Sequence, residues 1–375
     1  MNIAIYDLQH YELVNTLLHI LEDHNISLIT CENLKTKVLA SEIKNTNVKF
    51  ITLEEHESFH VFLNEALEKC STNNIDLYIF STIDSNYKEI YQFIKKINKP
   101  IFITIHNVNT WLKPPFTLNI KALNYYYYRF KIKQKTNSYF VLDNSIKEYI
   151  EQNKLTKKKV HIIPYSINIK KNEISIEKKI NDELVVCIPG GIDGHRRDII
   201  TVIEAIQKIN NPKIYFKFIG APLGEIGEKI VEKINLLNSM GYSLSHFYNP
   251  NNNVLFENIM KQSDIILCPL IVETKFEGIK EIYGLTKATG ITFDLLRFEK
   301  PGIFPQNFNI PKNLNNCILK YDSLDNLVNL IKDLNNNRDK LNALKKNIEN
   351  ESKKNSKEVL KKSINEILSN TVNKW

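Results

Sequence analysis

Short apolar, β-branched runs alternate along this chain with stretches whose apolar positions recur at helical spacing. Residues 2–6 (NIAIY) read as a strand, Leu13, Leu17, Leu18 and Leu21 form a helical stripe, and 26–30 (ISLIT) read as the next strand. That is a βαβ opening. The alternation predicts strands at 48–53, 76–80, 101–105, 138–142 and 160–164, with helices around 59–67 and 87–97. After a polar, lysine-rich interval the same layout returns, with strands at 184–188, 214–219, 244–248, 264–270 and 317–321. Helices are expected between them, starting at Asp198 and spanning about 227–240, 254–260 and 324–334, and a charged helical stretch covers 338–368.

The expected fold class is therefore α/β: two Rossmann-like, doubly wound domains facing a cleft, with a C-terminal helical tail packing back along the molecule. The boundaries are an N-terminal domain at 1–167, a linker at 168–183, a C-terminal domain at 184–345 and a tail at 346–375. A length of 375 residues suits two cores better than one.

Composition narrows the function classes. No apolar run approaches the roughly 20 residues of a membrane span, and the first residues lack a signal peptide's charged start and apolar centre, so a cytoplasmic setting is expected. The five cysteines are scattered through apolar runs without metal-ligand spacing, and read as reduced core residues. A net charge of +8 accompanies heavy use of Asn, Lys and Ile and is spread among glutamates, so no nucleic-acid partner is expected. Residues 113–135 are basic and aromatic together. They suit ordinary helix packing, or peripheral contact with anionic lipid on the inner face of a membrane.

Candidate chemistry gathers at the carboxyl ends of strands, where ligands collect in parallel sheets. The turn Asp7-Leu8-Gln9-His10 has no glycine, which argues against the dinucleotide fingerprint. His106 follows the strand at 101–105 and is a candidate for touching substrate or for holding its loop. Gly190 and Gly191 end the strand at 184–188 and lead to Arg196, Arg197 and a helix capped by Asp198. A helix amino terminus with two guanidinium groups suits phosphate oxygens. Gly284 is expected to start a second such helix, with Thr286 and Lys287 reaching an anion from its first turn and Glu281 accepting hydrogen bonds from sugar hydroxyls. Tyr248 lies in the region expected to meet a nucleotide base.

Two segments, IPGGIDGHRRDI and EIYGLTKATGITFDLLRFEKP, together with the layout of nearly the whole chain, resemble the GT-B glycosyltransferases, and in particular the retaining group that includes glycosyltransferase family 4. Gly190, Gly191, Arg196 and Arg197 are similar to that family's phosphate-binding motif, with Arg197-Asp198 standing where the family has a lysine and a glycine. Glu281, Tyr283 and Gly284 resemble its glutamate, aromatic and glycine, while its second glutamate, a ribose ligand, falls on Thr289. His106 is similar in position to the family's N-domain histidine.

The resemblance implies transfer of a sugar from a UDP- or GDP-type donor to a glycan, lipid-linked glycan or protein acceptor, with retention and without a cofactor or metal. His106, Arg196 and Glu281 are then the catalytic candidates, and Gly190, Gly191, Arg196, Arg197, Tyr248, Glu281, Tyr283, Gly284, Thr286, Lys287 and Thr289 the donor-binding ones. A sugar-nucleotide epimerase and a non-catalytic partner of a transferase share the same expected layout.

Overall fold

The computed structural model describes residues 1–41, 47–168, 183–249 and 253–375. The first layer is a seven-stranded parallel sheet in the order β3-β2-β1-β4-β5-β6-β7. In chain order it runs β1 (Asn2–Tyr6), α1 (Tyr11–Ile20), β2 (Asn25–Cys31), α2 (Glu32–Leu39), β3 (Val48–Leu53), α3 (Phe59–Thr72) and β4 (Leu77–Phe80). It continues through α4 (Tyr87–Lys96), β5 (Ile101–Thr104), α5 (Val108–Leu112), α6 (Ile120–Lys135), β6 (Ser138–Val141), α7 (Asn144–Gln152) and β7 (Lys159–Ile162).

Alternate residues of β1 explain why this sheet is covered on both faces: Ile3 and Ile5 join one core, Ala4 and Tyr6 the other. The helices that fill those cores are fixed locally. Ser58, Asn119 and Asp143 each accept a backbone N–H from the first turn of the helix that follows.

The second sheet is six-stranded and parallel, in the order β10-β9-β8-β11-β14-β15. Its elements are β8 (Leu184–Pro189), α8 (Ile199–Ile209), β9 (Ile214–Ile219), α9 (Gly224–Ser239), β10 (Leu244–Phe247), α10 (Asn253–Gln262) and β11 (Ile265–Leu267). After it come a hairpin of β12 (Glu273–Phe276) and β13 (Ile279–Ile282), then α11 (Gly290–Phe298), β14 (Gly302–Pro305), a short 3-10 turn and β15 (Ile318–Tyr321). Asp198 caps α8 as its sequence predicts, accepting Thr201 N–H at 3.1 Å.

Three consecutive helices end the chain, α12 (Leu324–Asn336), α13 (Arg338–Lys354) and α14 (Lys357–Val372), of which α12 lies in a core of the second sheet and the end of α13 with α14 forms the tail expected at 346–375. Ile348 of α13 stays in a core of the second sheet, whereas Ile364 and Leu368 of α14 enter a core of the first beside Leu13, Val14 and Leu17. Lys357 and Lys361 reinforce that return by pairing with Glu22 of the N-terminal half. The tail therefore packs back along the molecule, and among the described residues no helix is long and apolar enough to cross a membrane.

Of the linker expected at 168–183, residues 169–182 lie outside the described residues. One local expectation is corrected, and one element was not expected. The segment after Gly284 is a turn, and the helix begins only at Gly290. The hairpin β12–β13 occupies a stretch whose short, alternating polar pattern gives little apolar signal.

Candidate functional site

Each sheet has one point where strand order reverses, between β1 and β4 in the first and between β8 and β11 in the second. Crevices open outside the carboxyl ends of strands at such points. In this chain both are lined with chemistry.

At the first, Asp7 directly follows β1. It is fully buried, and its Oδ1 accepts the N–H groups of Gln9 and His10 at 2.7 and 2.9 Å, which shapes the turn without a glycine. Thr82, just past β4, donates its hydroxyl to Asp7 Oδ2 at 2.9 Å and faces His10 Nδ1 at 2.7 Å. Since the threonine proton is committed to Asp7, the network assigns the next proton to His10 Nδ1, which in the neutral ring leaves Nε2 as the acceptor.

His106, past β5, stacks on His10 with ring centroids 4.8 Å apart, and its Nε2 lies 2.7 Å from the Ser81 carbonyl, to which it donates. Burial, then His10 and Lys287, push His106 down to about 3, so the ring is neutral at physiological pH with Nδ1 free to accept. Sequence patterns place His106 at this edge but miss Asp7, His10 and Thr82, whose association needs β1 and β4 to be neighbours.

His10, Thr82, Asp84, His106, Asn107 and Tyr165 form one side of a cavity of about 260 Å³, and Lys287, Ala288, Thr289, Gly290 and Phe293 form the other. The cavity thus lies between the two halves. Thr289 is the N-cap of α11 and makes no side-chain cap, so the first-turn amides of that helix are not taken by it. Lys287 donates from Nζ to the Asn107 side-chain oxygen across the junction. Burial pulls its ammonium below the usual lysine range, against the opposing charge of Glu281 and with the help of Arg196.

The second reversal carries the glycine turn. Gly190 has φ +103, and a Cβ there would lie 2.1 Å from Arg197 Nη2; a Cβ on Gly191 would lie 3.2 Å from Arg196 Nη2. The absence of a side chain at Gly190 is what lets the Arg197 guanidinium rest against the strand end, whereas at Gly191 it makes room for Leu223, whose Cδ1 would lie 2.7 Å from a Cβ. Arg196 pairs through Nε with Asp193 Oδ2 at 2.7 Å and stays 44% exposed. Arg197 donates to the Gly191 carbonyl at 3.1 Å, while its Nε is buried without a partner. Tyr283 is buried beside them, its hydroxyl pushed up by burial although both arginines oppose the shift.

Three expected donor contacts are not on this surface. Glu281 is fully buried, and its carboxylate accepts the N–H groups of Asn109 and Thr110 and the Thr110 hydroxyl, at 3.3, 2.8 and 2.8 Å. It caps the amino end of α5 from across the domain junction, so it has no oxygen to offer a sugar. Thr286 is buried, and its hydroxyl accepts Ile282 N–H at 2.8 Å. Gly284 donates its N–H to the Lys287 carbonyl, and a Cβ there would strike the Asn309 carbonyl at 2.1 Å. It is a packed turn glycine. Tyr248 stands half exposed one residue beyond β10.

One acid in this region escaped the sequence reading. Asp294 lies one turn into α11, and its carboxyl is pushed up to about 7 by burial, with Arg297 and Arg197 opposing and Glu12 reinforcing the rise. Between its ordinary value of 3.8 and 7 the folded chain keeps a proton that the unfolded chain has released, so stability falls as pH rises through that window. Asp294→Asn should therefore melt higher than the native chain at about pH 8, by on the order of 1 kcal/mol for a partly exposed group, and about equally at pH ~4. Thermal melts at the two pH values check this.

At the level of sequence, no protein-family model and no curated protein matches the chain. Solved structures do match its fold. The HepE protein of Anabaena in complex with UDP superposes with a TM-score of 0.70 at 13% identity, covering 99% of this chain and 100% of that one. A glycosyltransferase from Rickettsia africae gives 0.69 at 14% identity over 99% and 98%, and the sucrose-phosphate synthase of Thermosynechococcus elongatus 0.67 at 12% over 99% and 98%. The chain has the GT-B fold that these structures share.

Proposed function

We propose that this chain is a glycosyltransferase that moves a hexose from a nucleoside-diphosphate donor to a hydroxyl of a glycan, lipid-linked glycan or glycoprotein, with its anomeric configuration kept. The observation that carries the reading is the cavity between the two strand edges, with two stacked imidazoles on one wall and a lysine and a helix amino terminus on the other. Its volume suits a monosaccharide rather than a whole nucleotide sugar, which leaves the nucleotide to extend past Gly190 and Gly191 toward Tyr248. The solved relative HepE holds UDP, which favours a uridine donor.

Breaking the bond between sugar and diphosphate builds negative charge on the leaving oxygen. Arg196, Arg197, Lys287 and the first-turn amides of α11 supply fixed positive potential for it, and no metal is needed in this scheme. His106 Nδ1 and His10 Nε2 accept hydrogen bonds from sugar or acceptor hydroxyls and orient them for transfer. Asp7 and Thr82 hold the His10 tautomer that makes this possible.

His106→Ala should lower the transfer rate roughly tenfold to a hundredfold through lost orientation, with the fold retained by circular dichroism. Incubation of labelled nucleotide sugars with glycan and lipid-linked acceptors measures it. Equal transfer by the variant would reduce His106 to a loop residue, and turnover of donor without acceptor would point to epimerisation instead.

A further inference from the structure

Helix α6 is apolar on two sides, and only one of them is packed. Arg129 and Ile132 are buried toward the first sheet, with the Tyr125 and Tyr128 rings against Tyr87 and Tyr91 of α4. On the other side Ile120, Leu123, Tyr127 and Phe130 recur at i, i+3, i+7 and i+10, so they form a single stripe. All four are exposed, Ile120 at 84%. The preceding loop extends the stripe with Phe116 and Leu118, exposed at 88% and 81%. A contiguous exposed apolar surface of this kind marks an interaction site.

We infer that this surface docks the protein on an anionic lipid bilayer. Charge selects the occupant: residues 113–135 hold Lys113, Lys121, Lys131, Lys133, Lys135 and Arg129 and no aspartate or glutamate. Lys133 and Arg129 are engaged inside the fold, by the Trp111 carbonyl and by Glu277. Lys113, Lys121 and Lys135 are exposed in the same segment, Lys121 with its ammonium 5.8 Å from the centre of the Tyr125 ring, and on the stripe itself the Lys131 ammonium sits 5.6 Å from the centre of the Tyr127 ring. Lysines that flank exposed aromatic and aliphatic side chains match a leaflet whose phosphates are anionic and whose acyl boundary is apolar. A second copy of this chain fits poorly, since the stripe would meet like charges with no acid in the segment to pair them.

The segment begins directly after α5, and Trp111 of α5 lines the cavity. Docking through Phe116, Leu118 and the α6 stripe would bring the cavity close to the lipid surface.

Co-sedimentation of the purified full chain with vesicles tests the proposal without any substrate, so its outcome is independent of the sugar-transfer reading. The native chain should bind vesicles of equal phosphatidylcholine and phosphatidylglycerol at least about tenfold more strongly than phosphatidylcholine alone. A Phe116→Ser, Leu118→Ser, Ile120→Ser variant should lose about tenfold of that binding while keeping its melting temperature, because these side chains pack on nothing inside the fold. A Lys121→Glu, Lys131→Glu, Lys135→Glu variant should lose the preference for anionic lipid. Absence of binding to either vesicle, or equal binding by the serine variant, would overturn the assignment. A dimer in light scattering that the serine variant dissolves would assign the stripe to a second copy and overturn it as well.

Discussion

An Arg196→Ala, Arg197→Ala double variant is expected to lose about 10²–10³ in kcat/KM for sugar transfer, or about 3–4 kcal/mol of transition-state stabilisation. Both guanidinium groups rest on the glycine turn at the end of β8, where the strand order of the second sheet reverses. Arg197 is the more telling of the two. It is half-buried, burial pulls it below the usual arginine range, and its Nε is buried without a partner. A buried cation with unused donors is costly unless an anion completes it. The charge of Arg196 also reaches Lys287, which ties the arginine turn to the cavity wall. Steady-state kinetics on the double variant, with circular dichroism to confirm folding, gives the measure. Unchanged turnover would remove the arginines from the mechanism.

The largest effect on stability should come from Glu277→Ala, at about 3–5 kcal/mol. Glu277 and Gly278 form the tip of the β12–β13 hairpin, both with positive φ, and the tip reaches from the second sheet into the first half. There Glu277 Oε2 lies 2.7 Å from Arg129 Nη1, and its Oε1 accepts the Tyr87 hydroxyl at 2.8 Å. The Arg129 side chain is 2% exposed and packed between the rings of Tyr87 and Tyr126, so removing Glu277 strands a buried cation. Urea unfolding of the variant reads the loss, and Glu277→Gln, which keeps hydrogen-bonding atoms in place, should lose less. A loss under about 1 kcal/mol would show that the pair behaves like an exposed one and does not clasp the halves together.

The strands were legible because each is a short apolar run bounded by polar residues, and 2–6, 48–53 and 214–219 coincide with β1, β3 and β9 end to end. The start of α8 was legible because an N-cap needs only residues three apart in sequence. What escaped is non-local. Glu281 has a carboxylate beside a glycine turn, which reads as a ligand until Thr110, 171 residues away, takes one of its oxygens. His10 gains its partner Thr82 only when β4 pairs with β1. The start of α11 was misplaced by six residues because Gly284 looks like a helix boundary, whereas the turn closed by Gly284, Thr286 and Lys287 delays the helix to Gly290.

Those corrections move the second anion cup from Gly284 to Gly290 and the sugar-facing chemistry from Glu281 to the cavity walls, while the first cup at Gly190 and Gly191 keeps its arginines. A crystal structure with a UDP-sugar bound tests this arrangement most directly. The account predicts diphosphate oxygens on Arg196, Arg197 and the amides at Gly191 or Gly290, with the sugar between His106 and Lys287. A nucleotide bound elsewhere on the molecule, or a cleft left empty at saturating donor, would contradict it.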